Sequence, residues 1–366
     1  MYILLFSLLL VSSYSNSSEP EVTKNYYSAE RTYPVYANFL NFLAQAPQPF
    51  HTLSVAEARA VVEHGFKRAT ENLTPVRAII AAEAINEKDQ AVIPLTIYIP
   101  DNLDNTEQDT KKLLPVITFF HGGGWVLGSV EGAQELCRRL AQYTFSIVVS
   151  VDYRLAPENP FPVPLEDCYY ATKWVAHNIH QYGGDSHKLV VAGESAGGNL
   201  ATTVTLKARD ENLSFIKAQL LIYPALDSHI DDKIYSTFLD QHFITADCMR
   251  WYWNHYAQQT SLNTGYLSPV YAESLTHLPP ALIVTAEHDP LKVEAEHYAY
   301  LLEKAGVSVW YKEYARMIHL FLNLPFDVQE AVDATKEIAG QLRSLFATEE
   351  TKFVRCIEDQ CNGYEN

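Results

Sequence analysis

Positive charge is scarce in this chain. Its 366 residues carry 27 Lys and Arg against 44 Asp and Glu, a formal net charge of -17. A binder of nucleic-acid phosphate needs the opposite balance, so no nucleic-acid partner is expected. Cysteine is sparse too. Cys137, Cys168, Cys248, Cys356 and Cys361 follow no zinc-ligand spacing, so no metal is expected. Five ordinary thiols are the simpler reading, with Cys356 and Cys361 near enough in sequence to bridge locally. Internal repeats are missing.

Long apolar runs are missing as well. Residues 3–11 form a run too short to span a bilayer, and no later segment reads as transmembrane. The run resembles the apolar core of a secretory signal, with small Ser13 and Ser15 suited to cleavage after Ser15. No Lys or Arg precedes it, and no cysteine follows to receive a lipid. Residues 1–15 are therefore expected to be a signal peptide. The protein is then secreted or periplasmic if the signal is cleaved, and cytoplasmic otherwise, with no stable membrane anchor.

What is present is globular composition: 48% hydrophobic, 19% charged, 23 Tyr and 16 Phe. From residue 93, short apolar runs read as strands: IPLTIYIP, LPVITFF, SIVVSVDY, KLVVAG, AQLLIYP, ALIVTAE and VSVWYKEY. Several are continuous rather than alternating, as in a parallel sheet covered on both faces. Helical segments fall among them: LEDCYYATKWVAHNIHQYG, NLATTVTLKARDEN, LKVEAEHYAYLLEKAG and VQEAVDATKEIAGQLRSLF, with Gly306 at a C-cap position. This alternation predicts an α/β fold with a mostly parallel central sheet flanked by helices. Residues 91–345 make that domain, and 346–366 a tail. Ahead of it, residues 16–90 read as a separate helical segment, in which Ser54 and Glu57 form a capping box. Residues 226–272 interrupt the alternation and exceed a plain crossover. They carry Trp251, Tyr252, Trp253 and Tyr256 and are expected to cap a site.

Two motifs carry chemistry. After KLVVA, residues Gly193 to Gly197 spell G-x-S-x-G between a strand and a helix. That context suits a sharp turn exposing a nucleophile, here Ser195. After LPVITFF comes HGGGW, three glycines that cost backbone entropy and bury no side chain. A negative oxygen formed during acyl transfer needs preorganised donors, and bare backbone amides supply them. Gly122, Gly123 and Ala196 are the expected oxyanion-hole donors. His121 is expected to hold the loop's shape.

A serine hydroxyl needs a base. In this arrangement an acid and then a histidine follow the serine, on loops after late strands. ALIVTAEHDPL offers Asp289, with Glu287 as the alternative, and VSVWYKEYARMIHLF offers His319. His288 adjoins Asp289 and is poorly placed to line up with it. His297 falls within a helix. Trp125, Glu194, Trp251 and Leu320 are the candidate substrate contacts.

HGGGW, DYRLAPENPFPVPLEDC, GESAGGNLA, DPL and IHLF together resemble the ordered blocks of the hormone-sensitive lipase family of α/β-hydrolases, across roughly residues 90–345. The resemblance implies an α/β-hydrolase fold and a serine carboxylesterase acting on small-molecule esters of short to medium acyl chains. It implies no cofactor, and a cap built from the N-terminal segment plus an insertion. Within DYRLAPE, Arg154 and Glu158 are read as polar supports for the oxyanion loop. Glu194 stands where many members have Asp, and Leu320 where Gly is common. An amidase or formamidase, a lipase, a non-catalytic ligand-binding member and a homo-oligomer all stay open.

Overall fold

The computed structural model describes residues 28, 30–46, 48–67, 73–101, 113–238, 243–258, 260–324 and 328–347. The expected signal peptide, the Cys356–Cys361 pair and the tail from 348 lie outside them.

Eight strands make one sheet in the order β1-β2-β4-β3-β5-β6-β7-β8. They are β1 (Ala78–Ile85), β2 (Val92–Ile99), β3 (Leu114–Phe120), β4 (Ile147–Val151), β5 (Gly184–Glu194), β6 (Ile216–Ile222), β7 (Ala281–His288) and β8 (Val309–Ile318). β1 and β2 form an antiparallel hairpin, β2 pairs antiparallel with β4, and the remaining pairings are parallel. The expected helical segment 16–90 therefore ends early, because residues 78–85 form the edge strand β1. Its four Ala favour helix, and Ile79 and Ile85 stay exposed because an edge strand here has only one covered face.

Continuous apolar runs belong where both faces are covered. On β5, Leu189 and Val191 point to one buried cluster, Val190 and Ala192 to the other. The first is closed by α4 (Val163–Asn178), α5 (Ala196–Asp210) and α8 (Lys292–Lys304). The second is closed by α1 (Pro34–Ala44), α3 (Gln134–Thr144) and α9 (Gln329–Ala347). Helix α3 has no counterpart among the expected helices. Helix α2 (Val55–Lys67) starts at the expected capping box: the Ser54 N–H donates to Glu57 Oε2 (2.9 Å) and the Glu57 N–H to Ser54 Oγ (3.3 Å). Gly306 ends α8 at φ 80°, and the Val307 N–H returns to the Leu302 carbonyl.

The 226–272 segment contains α6 (Asp232–Tyr235) and α7 (Ala246–Ala257). Together with α1 and α2 it borders a cavity at the carboxyl ends of the strands. Phe39 of α1 meets Phe243 edge-on with ring centroids 5.2 Å apart, and Phe50 meets Trp251 at 6.1 Å.

Candidate active site

Strand register places the site. β3 and β5 are parallel neighbours with Phe120 beside Gly193, so the HGGG loop and Ser195 leave the sheet together. Chain order reverses direction across the sheet at this pair, the usual place for a ligand in an open α/β sheet.

Ser195 bridges β5 and α5 with φ 54° and ψ -119°. A side chain with positive φ is strained by about 1–3 kcal/mol, here held by the surrounding packing. The turn is tight enough that a Cβ on Gly193 would strike the Gly197 carbonyl, and one on Gly197 the Phe120 carbonyl. The Ser195 N–H donates to the Ile222 carbonyl (2.9 Å), and Asn199 Nδ2 donates to the Ala225 and Leu267 carbonyls (2.9 Å each). These bonds clamp the turn to β6 and to the insertion.

Ser195 Oγ lies 3.0 Å from His319 Nε2, and His319 Nδ1 lies 2.6 Å from Asp289 Oδ2. The other carboxylate oxygen, Asp289 Oδ1, accepts the Leu291 N–H at 2.9 Å. The three side chains are buried, Asp289 completely. Such a relay can move a proton from the hydroxyl to the imidazole while the carboxylate stabilises the ring's charged form. Glu287, the alternative acid, instead accepts the backbone N–H of Arg316 (2.7 Å). His288 Nε2 meets the Arg31 carbonyl at 2.7 Å, and His297 is exposed on α8.

Gly122, expected to offer a bare amide, instead donates to Glu194 Oε1 at 3.4 Å. Among the described residues, the N–H groups of Gly123, Gly124 and Ala196 have no protein acceptor. The loop turns at Gly123, φ 114°, where a Cβ would collide with the Leu127 carbonyl. A Cβ on Gly124 would enter the Tyr252 ring. Sequence alone could not choose among consecutive glycines, because the choice depends on which way each amide turns.

His121 is buried. Its ring stacks on Tyr153 (centroids 4.3 Å, 15°), Nδ1 lies 2.7 Å from the Gly122 carbonyl, and Tyr153 Oη donates to the His121 carbonyl (2.8 Å). Burial pulls its pKa down from 6.5 to about 4, against the Gly122 hydrogen bond, so the ring is neutral at pH 7. It shapes the loop, as expected. Glu158 supports the same loop at one remove. It pairs in bidentate fashion with Arg59 of α2 (2.7 and 2.8 Å), whose Nε donates to the Val126 carbonyl (3.0 Å). Arg154 does not serve the loop. Its guanidinium forks onto buried Asp167 (2.7 and 2.8 Å) and reaches Asp89 (2.7 Å), tying β4 to α4 and the β1–β2 turn.

The cavity has a volume of about 550 Å³ and is walled by Phe39, Leu43, Val61, Phe243, Met249 and Tyr252, with Ser195 and His319 at its border. Leu320 lines it at φ 63°, a conformation that explains why Gly suits this position. Trp251 does not line it. Trp251 packs against Phe50 and His255, and its neighbour Tyr252 faces the cavity instead. Trp125 borders the cavity, but its indole is fully buried, stacked on Tyr256 (4.5 Å, 3°) and tilted against Trp253 (4.2 Å). It anchors the glycine loop to α7. The Glu194 carboxylate, expected to contact substrate, is spent on protein donors. Tyr223, Asn323 and Arg59 gave no signal in sequence, since they act only through contacts across long chain separations. No cluster of three or more candidate metal ligands occurs among the described residues. No described helix is long and apolar enough to cross a membrane.

A sequence model of the alpha/beta hydrolase fold matches residues 117–323. A carboxylesterase of Mycobacterium tuberculosis, NlhH, is 37% identical over 70% of this chain and 79% of its own length. An arylesterase of Saccharolobus solfataricus is 33% identical over 69% of this chain and 80% of its own. The solved structure of a hyperthermophilic esterase from Pyrobaculum calidifontis superposes with a TM-score of 0.79 at 36% identity, covering 87% of this chain and 99% of that one. With its sheet order, elbow and glycine loop in register, and with matches across most of its length, the chain belongs to the α/β-hydrolase-fold family, in the hormone-sensitive lipase group.

Proposed function

We propose that the protein is a serine carboxylesterase that cleaves small carboxylic esters through an acyl-enzyme. One observation carries this reading: Ser195 Oγ, His319 Nε2 and Asp289 Oδ2 form an unbroken relay, with links of 3.0 and 2.6 Å, at the edge of an apolar cavity. The relatives named carboxylesterase, arylesterase and esterase support it. Ser195 attacks the ester carbonyl while His319 takes its proton. His319 then protonates the leaving alcohol, and water repeats the sequence on the acyl-enzyme. Asp289 orients the imidazole. The oxygen that becomes negative is met by the Gly123, Gly124 and Ala196 amides.

The N-terminal helices and residues 226–272 act as the cap, since both contribute walls to the cavity. A cavity of about 550 Å³ suits short to medium acyl chains better than triglyceride. The apolar run at residues 3–11 supports export. The test is an acyl-length series of p-nitrophenyl esters on purified protein, beside an N-formyl amide and emulsified triglyceride. Peak kcat/KM at short or medium esters is expected. Preference for the amide or the emulsion would replace the reading with an amidase or a lipase.

A further inference from the structure

Glu194 stands directly before Ser195 and is 1% exposed. No Lys or Arg pairs with it among the described residues. Its carboxylate instead collects donors from three separate segments. Tyr223 Oη, at the end of β6, donates to Oε2 at 3.0 Å. Asn323 Nδ2, four residues after His319, donates to Oε1 at 2.7 Å, and the Gly122 N–H reaches the same oxygen at 3.4 Å. The Tyr223 ring in turn meets the His319 imidazole edge-on, with centroids 5.0 Å apart. The nucleophile turn, the glycine loop, the end of β6 and the histidine loop thus converge on one buried carboxylate.

We infer that Glu194 is a positioning residue for the Ser195–His319 pair: it locks four segments into one geometry, and its negative charge favours the imidazolium formed when His319 takes the serine proton. This rests on reading Ser195 as nucleophile and His319 as base. A charge without a cation is costly to bury, and it persists where donors and function hold it there. Burial outweighs the opposing pull of Tyr223, Gly122, His319 and Asn323 and leaves the Glu194 carboxyl above its ordinary value. Asp289 is the carboxylate bonded directly to the imidazole, and the charge of Asp289 is felt by Glu294 of α8. Tyr153, Tyr223 and Cys137 are the remaining titratable groups that feel Glu194.

The experiment measures kcat and KM for p-nitrophenyl butyrate across pH in wild type, Ser195→Ala, Glu194→Gln and Asn323→Ala. Glu194→Gln keeps the shape and removes the charge. Its kcat should fall about 10- to 100-fold with KM little changed. The acid limb of its kcat/KM profile should move to lower pH, because removing a nearby negative charge disfavours the protonated form of the catalytic base. Asn323→Ala keeps the charge and cuts the tie to the histidine loop, so kcat should fall with the acid limb in place. A merely structural Glu194 would lower the melting temperature and leave the profile unmoved, and that result overturns the proposal. If Glu194→Gln fails to fold, Asn323→Ala decides alone: unchanged kcat overturns the proposal and reduced kcat supports it. Full activity in Ser195→Ala would bring down the underlying esterase reading, a result distinct from an unmoved Glu194→Gln profile.

Discussion

The carboxylate of Glu287 accepts the backbone N–H of Arg316 across β7 and β8 at 2.7 Å, inside the irregularity that brings His319 to Asp289. Ala286 pairs with Tyr314, an offset of 28 residues (314 - 286), but His288 pairs with Ile318, an offset of 30 (318 - 288). Two extra residues on β8 are absorbed between those pairs, and Arg316 adopts φ 62° there. Continued at the first offset, Asp289 would face Met317 (289 + 28) rather than His319. Bulges beside active sites commonly re-aim a side chain in this way. Glu287→Ala should therefore lower kcat/KM by about 10- to 100-fold by loosening the bulge, whereas Glu287→Gln, still an acceptor, should stay within severalfold. Equal activity of Ala and Gln variants would remove Glu287 from this role.

Ser195→Ala should lose about four to six orders of magnitude in kcat while its melting temperature holds or rises. Removing the Oγ relieves nothing in the core and leaves the backbone turn clamped by Ile222 and Ala225. Steady-state rates and a thermal melt on the same preparation check both halves.

Asp289→Asn separates the two acids that sequence left open. An amide can hold the imidazole in the wrong tautomer, which costs about four orders of magnitude in kcat where this relay has been dissected. A loss of less than tenfold would mean that His319 is oriented by something other than Asp289.

Gly123→Ala should cost about two to three orders of magnitude in kcat, because a Cβ meets the Leu127 carbonyl and turns the amide away. At Gly124 the obstacle is the Tyr252 ring, a side chain that can be trimmed. Gly124→Ala should thus recover part of its lost activity when combined with Tyr252→Ala. Kinetics of the two single variants and the double variant decide; additive losses would contradict the collision.

His121 makes stability depend on pH in a defined window. Its folded pKa is about 4, below the ordinary 6.5, so between those values the unfolded chain binds a proton that the folded chain refuses. Stability is complete above pH 6.5 and falls as pH drops toward 4, by up to about 1.4 kcal/mol per unit and roughly 3 kcal/mol in all. Urea unfolding at a series of pH values should show the slope, and His121→Phe should flatten it. An identical slope in the variant would assign the effect elsewhere.

Sequence by itself determined the sheet's interior and pointed to Ser195 and His319 as reacting groups, leaving the acid open between Asp289 and Glu287. Continuous apolar runs at β3 to β7 have no stable place except between two helical layers, and G-x-S-x-G between a strand and a helix forces a turn that only small neighbours permit. Those signals are local, so they survive in the linear chain. β1 was hidden because an edge strand in which half the residues are Ala lacks the burial that makes strands legible. What only the tertiary structure decided was everything set by register and by amide direction. The bulge in β8 sets Asp289 rather than Glu287 against His319, the turn of the loop ties the Gly122 amide to Glu194 and leaves those of Gly123 and Gly124 without a protein acceptor, and the rotation of α7 puts Tyr252 rather than Trp251 on the cavity. Each choice turns on an ångström-scale offset between segments far apart in the chain, and such offsets are settled by packing, which no local pattern of residues encodes.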